Sequence, residues 1–274
     1  MTVAMPNGQE ANIDVDAVSF DCGGVLTVPD HGMLGYVLTR HGITHDGALF
    51  SEGHYHAMAA IDRNRSEPEE FGDYTHAFLQ AIGTSRDQMD AAVAAIEEVL
   101  VPPLWIQRVP GALDAVRRIK AAGYRVAVTS NADGTIEDAL RRHEILQAGP
   151  GPGIEVEYVG DSGVVGFHKP HPAMFLATAE ALDLPPERIC HVGDAGTFDA
   201  EGATAVGMLG VHLDPLGWCP ADHPHVTSLD GLADMLGVHG REAAGHGAGG
   251  HDTAAGHGAG GHDKVLDVEP GAAR

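Results

Sequence analysis

Asp21 ends an apolar run, Ala17-Val18-Ser19-Phe20, and opens the turn Asp21-Cys22-Gly23-Gly24-Val25-Leu26-Thr27. Carboxylates are rarely buried without a partner, so packing explains an acid here poorly. At the carboxyl end of a parallel strand it would point into the crevice where open α/β sheets bind ligands. That place suits a nucleophile or a metal ligand. Three later segments have related forms. Arg125-Val126-Ala127-Val128-Thr129 runs into Ser130-Asn131, and the turn Gly166-Phe167-His168 leads to Lys169-Pro170-His171-Pro172. Arg188-Ile189-Cys190-His191-Val192 then runs into Gly193-Asp194-Ala195-Gly196-Thr197-Phe198-Asp199. Together they offer a carboxylate nucleophile, a hydroxyl with amide donors, a lysine and a carboxylate pair. Singly, each has a plainer reading: Ser130-Asn131 and Asp199 suit helix N-caps, and a lysine in a turn is usually a solvated charge.

The elements that must position these residues are legible from periodicity. Short apolar strands are expected at 15–20, 125–129, 154–159, 189–192 and 210–213, with helices at 111–122, 135–143, 172–182, 197–205 and 229–236. Gly123 is a fitting C-cap for the first of those helices. Helices alternating with short strands imply an α/β fold with a parallel sheet and right-handed crossovers. Between Asp30 and Pro103 the pattern is helical instead, over 33–41, 52–64, 68–82 and 86–101. Apolar residues there recur at three and four, as in Tyr74-Phe78-Ile82 and Met89-Val93-Ile96-Leu100.

The order and approximate intervals of the four segments resemble the haloacid dehalogenase (HAD) superfamily over roughly residues 14–240. The resemblance implies a Rossmann-like parallel-sheet core, the HAD fold, with an α-helical cap inserted between the first two motifs, as in subfamily I. Residues 14–29 and 104–240 would form the core and 30–103 the cap, flanked by a loose tail at 1–13 and a Gly/His-rich tail at 241–274. It also implies roles. Asp21 would attack phosphorus, and Ser130 with the Asn131 amide would bind a phosphoryl oxygen. Lys169 would place a positive charge beside both. Mg2+ would be held by Asp21, Asp194 and the carbonyl of Gly23, with Asp199 orienting the metal or its waters.

One position departs from the pattern. Phosphatases of this family usually carry a second Asp two residues after the nucleophile, which protonates the leaving alkoxide; here Gly23 stands there. A positioned acid/base contributes on the order of a hundredfold to ten-thousandfold. Asp30, His31, His54, His56 and His171 are the candidate substitutes, with 18 histidines in the chain. The favoured reading is a magnesium-dependent phosphatase acting on a small phosphorylated metabolite, a hydrolase whose cap selects the substrate through residues such as Arg40, Arg63, Arg65 and Arg86. The alternatives are a haloacid dehalogenase, in which Asp21 displaces halide and Gly23 is no handicap, and a catalytically weak phosphate-binding protein.

Composition narrows the partners. A formal charge of −23 argues against nucleic acid and anionic membranes, since phosphate backbones are bound mainly by Lys and Arg. Three cysteines, Cys22, Cys190 and Cys219, leave one unpaired and indicate a reducing compartment. The first residues lack a basic segment followed by an apolar stretch, and no run approaches 18 apolar residues, so a cytoplasmic location is expected. From Gly240 onward, Ala243–Asp252 repeats as Ala254–Asp263. This glycine-rich tail is expected to be disordered, and its His246, His251, His257 and His262 offer a transition-metal chelator.

Overall fold

A computed structural model of the chain describes residues 2–4, 10–65, 71–99 and 104–238. The Gly/His-rich tail, the start of the helix expected from Pro68, the end of the one expected to reach Val101 and the Pro102-Pro103 junction lie outside the described residues. The first 13 residues are not uniformly loose. β1 (Thr2–Ala4) pairs antiparallel with β2 (Glu10–Asn12).

The central sheet is built from β3 (Ala17–Phe20), β6 (Arg125–Ser130), β9 (Tyr158–Asp161), β10 (Ile189–Gly193), β11 (Leu209–Leu213) and β12 (His225–Val226). All neighbours run parallel, in the order β12-β11-β10-β3-β6-β9. β3 and β10 are buried along their whole length. Strands covered on both faces read as continuous apolar runs, which is why these segments stand out in the sequence. α5 (Ala112–Ala121), α6 (Ile136–Arg142), α8 (Pro172–Ala181) and α10 (Leu229–Met235) supply the remaining core elements. Ala112, Leu113, Val116 and Ile119 of α5 share one buried cluster with Val18, Val126 and Val192 of the sheet.

Register sets the level of the polar strand ends. Phe20 lies beside Val128 on one side and Val192 on the other. One or two residues further on, Asp21, Ser130 and Asp194 therefore emerge together at the same carboxyl edge.

The insertion leaves and re-enters through a two-stranded ribbon that periodicity did not reveal, β4 (Thr27–Pro29) antiparallel to β5 (Trp105–Arg108). Between them lie α1 (His31–Arg40), α2 (Phe50–Asn64), α3 (Phe71–Ala81) and α4 (Met89–Glu97). Leu34, Leu38, Phe50, Phe78, Ile82 and Ile96 give these helices a hydrophobic cluster of their own. An inserted segment with its own core is what a separately packed layer over the sheet edge requires.

Two expectations need correction. Residues 154–159 are not one strand: β8 (Ile154–Val156) pairs with β7 (Leu146–Ala148), and β9 joins the central sheet. Glu157 breaks the run. Its N–H donates to the Val126 carbonyl at 2.9 Å and its carboxylate accepts the Val126 N–H at 2.7 Å. Residues 197–205 do not form a single α-helix either. Gly196–Glu201 is a wide π-turn, continued by α9 (Gly202–Ala205). A short α7 (Ser162–Val165) after β9 carries the chain toward Lys169.

Candidate active site

The structure brings Asp21, Lys169, Asp194 and Asp199 into one buried space. Lys169 Nζ stands 2.8 Å from Asp21 Oδ1 and 2.6 Å from Asp199 Oδ1. Its side chain is 2% exposed, so nearly all of its charge interacts with these two carboxylates rather than with water. One oxygen from each of Asp21, Asp194 and Asp199 lies within 4.8 Å of the others. An all-oxygen set at this spacing fits a hard divalent cation such as Mg2+. Asp199 is already heavily committed: besides Lys169 it accepts from His191 Nε2 at 3.0 Å and from the Ala195 N–H at 3.1 Å. Its geometry is that of a group that holds Lys169.

Burial pushes the Asp21 carboxyl up to about 7; Lys169 opposes this, and the charges of Asp199 and Asp194 add to it. Burial would raise Asp199 as well, but Lys169 and His191 more than offset it and hold that carboxyl well below the usual range. Lys169 itself is held above the ordinary lysine range: burial lowers it, and Asp199 and Asp21 together outweigh burial. The pattern is a pair of carboxylates with opposite displacements around one cation, an arrangement that clusters at functional sites.

A chain of buried polar groups supports this centre from below. Thr178 of α8, then Thr129, Ser19 and His191 of three adjacent strands, follow one another at 2.6, 2.7 and 3.1 Å. An ionised Asp199 can only accept, so His191 Nε2 carries the proton, and Nδ1 then accepts from Ser19. The Ser19 and Thr129 hydroxyl protons thus run toward His191, the Thr178 hydroxyl being shared with the Met174 carbonyl at 3.2 Å, and burial keeps the imidazole neutral by depressing its pKa. Sequence patterning could not reveal this chain, because its members lie on three strands and one helix, separated by up to 172 positions.

Ser130, at 3% exposure, sits at the strand end beside Asp21. Asn131 plays a part that the sequence does not announce. Its Oδ1 accepts the Lys169 N–H at 2.7 Å and its Nδ2 donates to the Lys169 carbonyl at 3.2 Å. The side chain thereby clamps the loop that presents Lys169. Gly23 lies in the turn, bridged to Thr27. A Cβ at Gly23 would stand 3.3 Å from Trp105 Cζ3, so the indole of β5 fills the direction in which a side chain would grow.

Of the groups named as substitutes for the missing acid, one reaches the site. His54 of α2, 1% exposed, places Nε2 2.7 Å from Asp194 Oδ2 and Nδ1 2.9 Å from the Tyr74 hydroxyl. Asp30 caps α1 by accepting from Met33, and His171 caps α8 by accepting from Ala173. His31 packs edge-on against Phe50 and His56 against Trp218. Two further residues of α2 also bind the site. Tyr55 donates to the Gly24 carbonyl at 2.8 Å, and Asp62 accepts the backbone N–H groups of Gly196 and Thr197 at 2.8 and 2.9 Å. A cavity of about 330 Å³ opens from Asp194 between α2 and the loop after β11, with Arg63 and Arg65 on its wall. Arg65 reaches Glu201 at 2.7 Å across it. Arg40 ends α1 and Arg86 precedes α4, neither of them on that wall.

Gly24 is packed against the centre more tightly than any side chain allows. It has φ of +67°, and a Cβ there would lie 1.9 Å from Asp194 Oδ2 and 2.5 Å from His54 Nε2. Gly24→Ala is therefore expected to displace Asp194 and to lower divalent-cation affinity at least tenfold while the protein stays folded, as read by calorimetric titration and circular dichroism. Unchanged affinity would show that Asp194 is not needed in this position.

The HAD-like hydrolase family profile matches residues 15–207. The haloacid dehalogenase-like hydrolase domain-containing protein 3 of Homo sapiens is 34% identical over 135 residues, covering 47% of this chain and 51% of that protein. D-glycero-beta-D-manno-heptose-1,7-bisphosphate 7-phosphatase of Pseudomonas putida is 32% identical over 141 residues, covering 47% of this chain and 76% of its own. The chain thus spans about half the length of the first of these relatives. A crystal structure of a dehalogenase superposes with a TM-score of 0.52 at 18% identity, over 82% of this chain and 99% of the other, a likeness of fold. With the family's span including β3 through α9 and every residue around Lys169, the chain belongs to the haloacid dehalogenase-like hydrolases.

Proposed function

We propose that the protein is a magnesium-dependent phosphatase of a small phosphorylated metabolite, working through an aspartyl-phosphate. The observation that carries this reading is the buried lysine bridging Asp21 and Asp199 at 2.8 and 2.6 Å beside a third carboxylate, Asp194. A phosphate dianion repels an anionic nucleophile, so charge must be neutralised where the two meet. Asp21 forms the new P–O bond while the bond to the leaving oxygen breaks. Ser130 and the Asn131 amide hold a phosphoryl oxygen, and Lys169 offsets the negative charge of Asp21 and the phosphate. Mg2+, held by Asp21, Asp194 and the Gly23 carbonyl, would supply electrostatic stabilisation of the phosphoryl oxygens. Water then cleaves the acyl phosphate and frees Asp21. Residues 30–103 serve as the cap in this reading, with α2 closing the site through His54, Tyr55 and Asp62. A relative named as a phosphatase of a heptose bisphosphate supports the class of substrate.

The dehalogenase reading is weaker here, because displacing halide requires no divalent cation, whereas three carboxylates within 4.8 Å outnumber the single positive charge of Lys169. With Gly23 in place of an acid, the leaving group must depart with little protonation. Turnover should therefore rise steeply with leaving-group acidity, p-nitrophenyl phosphate exceeding glycerol phosphate by roughly a hundredfold or more in kcat. Both rates should vanish in EDTA. The apparent affinity for Mg2+ should weaken as pH falls below about 7, where Asp21 takes up a proton that the cation must displace. Hydrolysis that survives EDTA, or chloride release from 2-chloropropionate without phosphate hydrolysis, would overturn the proposal.

A further inference from the structure

We propose that His212, Cys219, His223 and His225 form a second metal site, a closed four-ligand site for a transition-metal ion of the zinc class. One ligand atom from each lies within 4.8 Å of all the others. His212 Nδ1 is 3.2 Å from His223 Nε2, and Cys219 Sγ is 3.6 Å from the same nitrogen. Around a tetrahedral ion with bonds of about 2.0–2.3 Å, ligand atoms stand ~3.3–3.8 Å apart, so the two separations need little adjustment.

The backbone builds this cluster. Parallel pairing sets His212 of β11 directly beside His225 of β12. The connecting loop folds back because the Cys219 N–H donates to Asp214 Oδ2 at 2.8 Å. The His212 N–H donates to the Pro224 carbonyl at 2.8 Å, which fixes the far end.

Two observations point to an ion rather than to histidines that merely pack. His225 Nε2 is buried with no hydrogen-bond partner among the described residues. A buried polar atom of that kind calls for a ligand, water or ion. The second observation is the tautomer of His212. Its Nε2 stands 3.2 Å from the Asp194 carbonyl, which can only accept, so Nε2 carries the proton. Nδ1 is then a bare lone pair aimed at His223. Metal-bound histidines are commonly held in this way, with the second nitrogen donating to a carbonyl.

The donor set decides the metal. Three imidazoles and a thiolate, with no carboxylate among them, select zinc, cobalt or copper over magnesium. The centre around Asp21 offers oxygen alone, so only the second site carries the nitrogen and sulfur donors that favour an ion of the zinc class over magnesium. The hydrogen bond from His212 to Asp194 places the second site one contact from the catalytic loop, and a bound ion would hold the loop after β11 against it.

The test is titration of the full chain, kept reduced, with Co2+ as a spectroscopic stand-in for zinc. One equivalent should give a near-ultraviolet sulfur-to-cobalt charge-transfer band and intense visible bands of tetrahedral cobalt, both lost on adding zinc. Cys219→Ser should remove the charge-transfer band, and His223→Gln should weaken zinc binding by roughly a hundredfold in chelator competition. The histidines at 246–262 carry no sulfur, so they cannot supply that band. Should Cys219→Ser fail to fold, His225→Gln gives the same comparison through the visible bands. No charge-transfer band at stoichiometric cobalt, or a band unchanged in Cys219→Ser, would overturn the site. This readout is independent of phosphate hydrolysis, so it can fail or succeed without bearing on the activity proposed above.

Discussion

Asp21→Asn should eliminate phosphate hydrolysis and at the same time raise the melting temperature of the metal-free protein. Loss of the nucleophile removes the covalent route, and a fall of about four orders of magnitude or more in kcat is expected. The stability gain follows from Asp21 sitting buried beside Asp194 and Asp199. Its folded pKa is raised to about 7, above the ordinary carboxyl value. A raised acid pKa means that the folded state holds the proton more tightly. Ionising Asp21 thus costs stability, increasingly from about pH 4 to about 7 and fully above that. Asparagine keeps an oxygen that can accept from Lys169 but carries no charge. A rise of roughly 2–6 °C is expected at pH 8, shrinking toward pH 5. A thermal melt with EDTA at the two pH values checks it; a variant less stable at pH 8 would refute the electrostatic account.

Lys169→Met should act in the opposite direction on stability and in the same direction on activity. Methionine preserves much of the volume and removes the charge that holds Asp21 and Asp199 together. Breaking a buried pair by removing one partner leaves uncompensated charge and typically costs about 3–5 kcal/mol. For a chain of this size that is a fall of ~6–20 °C in Tm. The loss should be greatest at pH 8. It should diminish toward pH 5, because the freed carboxyls then take up protons and neutralise themselves. Melting curves of this variant beside Asp21→Asn give one experiment with two signs. A loss independent of pH would mean that Lys169 contributes packing rather than charge.

The strands that end in Asp21, Ser130 and Asp194 were legible because burial on both faces leaves an unbroken apolar run, against which a terminal polar residue is conspicuous. Lys169 was legible only from the order of the four segments, since a lysine in a turn has no local signature. His54 could be named among several histidines, but nothing in α2 distinguishes it from His56; the difference is which face of one helix meets Asp194. Trp105, Tyr55 and the side-chain clamp of Asn131 on Lys169 escaped for a related reason. Their roles depend on contacts between segments far apart in the chain, and such contacts leave no periodicity. The ribbon of β4 and β5 was hidden by its brevity and by Pro29, which weighs against a strand. The group Cys219-x3-His223-x-His225 was not singled out in the sequence, and its fourth member, His212, joins only through the parallel register of β11 and β12.

The indole that fills the space beside Gly23 also constrains what the sequence around it can become. An aspartate at 23 meets Trp105, while Trp105→Ala would open a void among His54 and Tyr74, whose rings pack with the indole at 5.5 and 6.1 Å. Removing a large aromatic of this kind costs about 3–5 kcal/mol. A Cβ at 3.3 Å asks the indole to give by a few tenths of an ångström, so the cost of an acid at 23 depends on what stands at 105, and the two positions are coupled. A double-mutant cycle over Gly23→Asp and Trp105→Phe would read that coupling directly, because part of what a substitution at 23 does belongs to its neighbour on β5 rather than to chemistry.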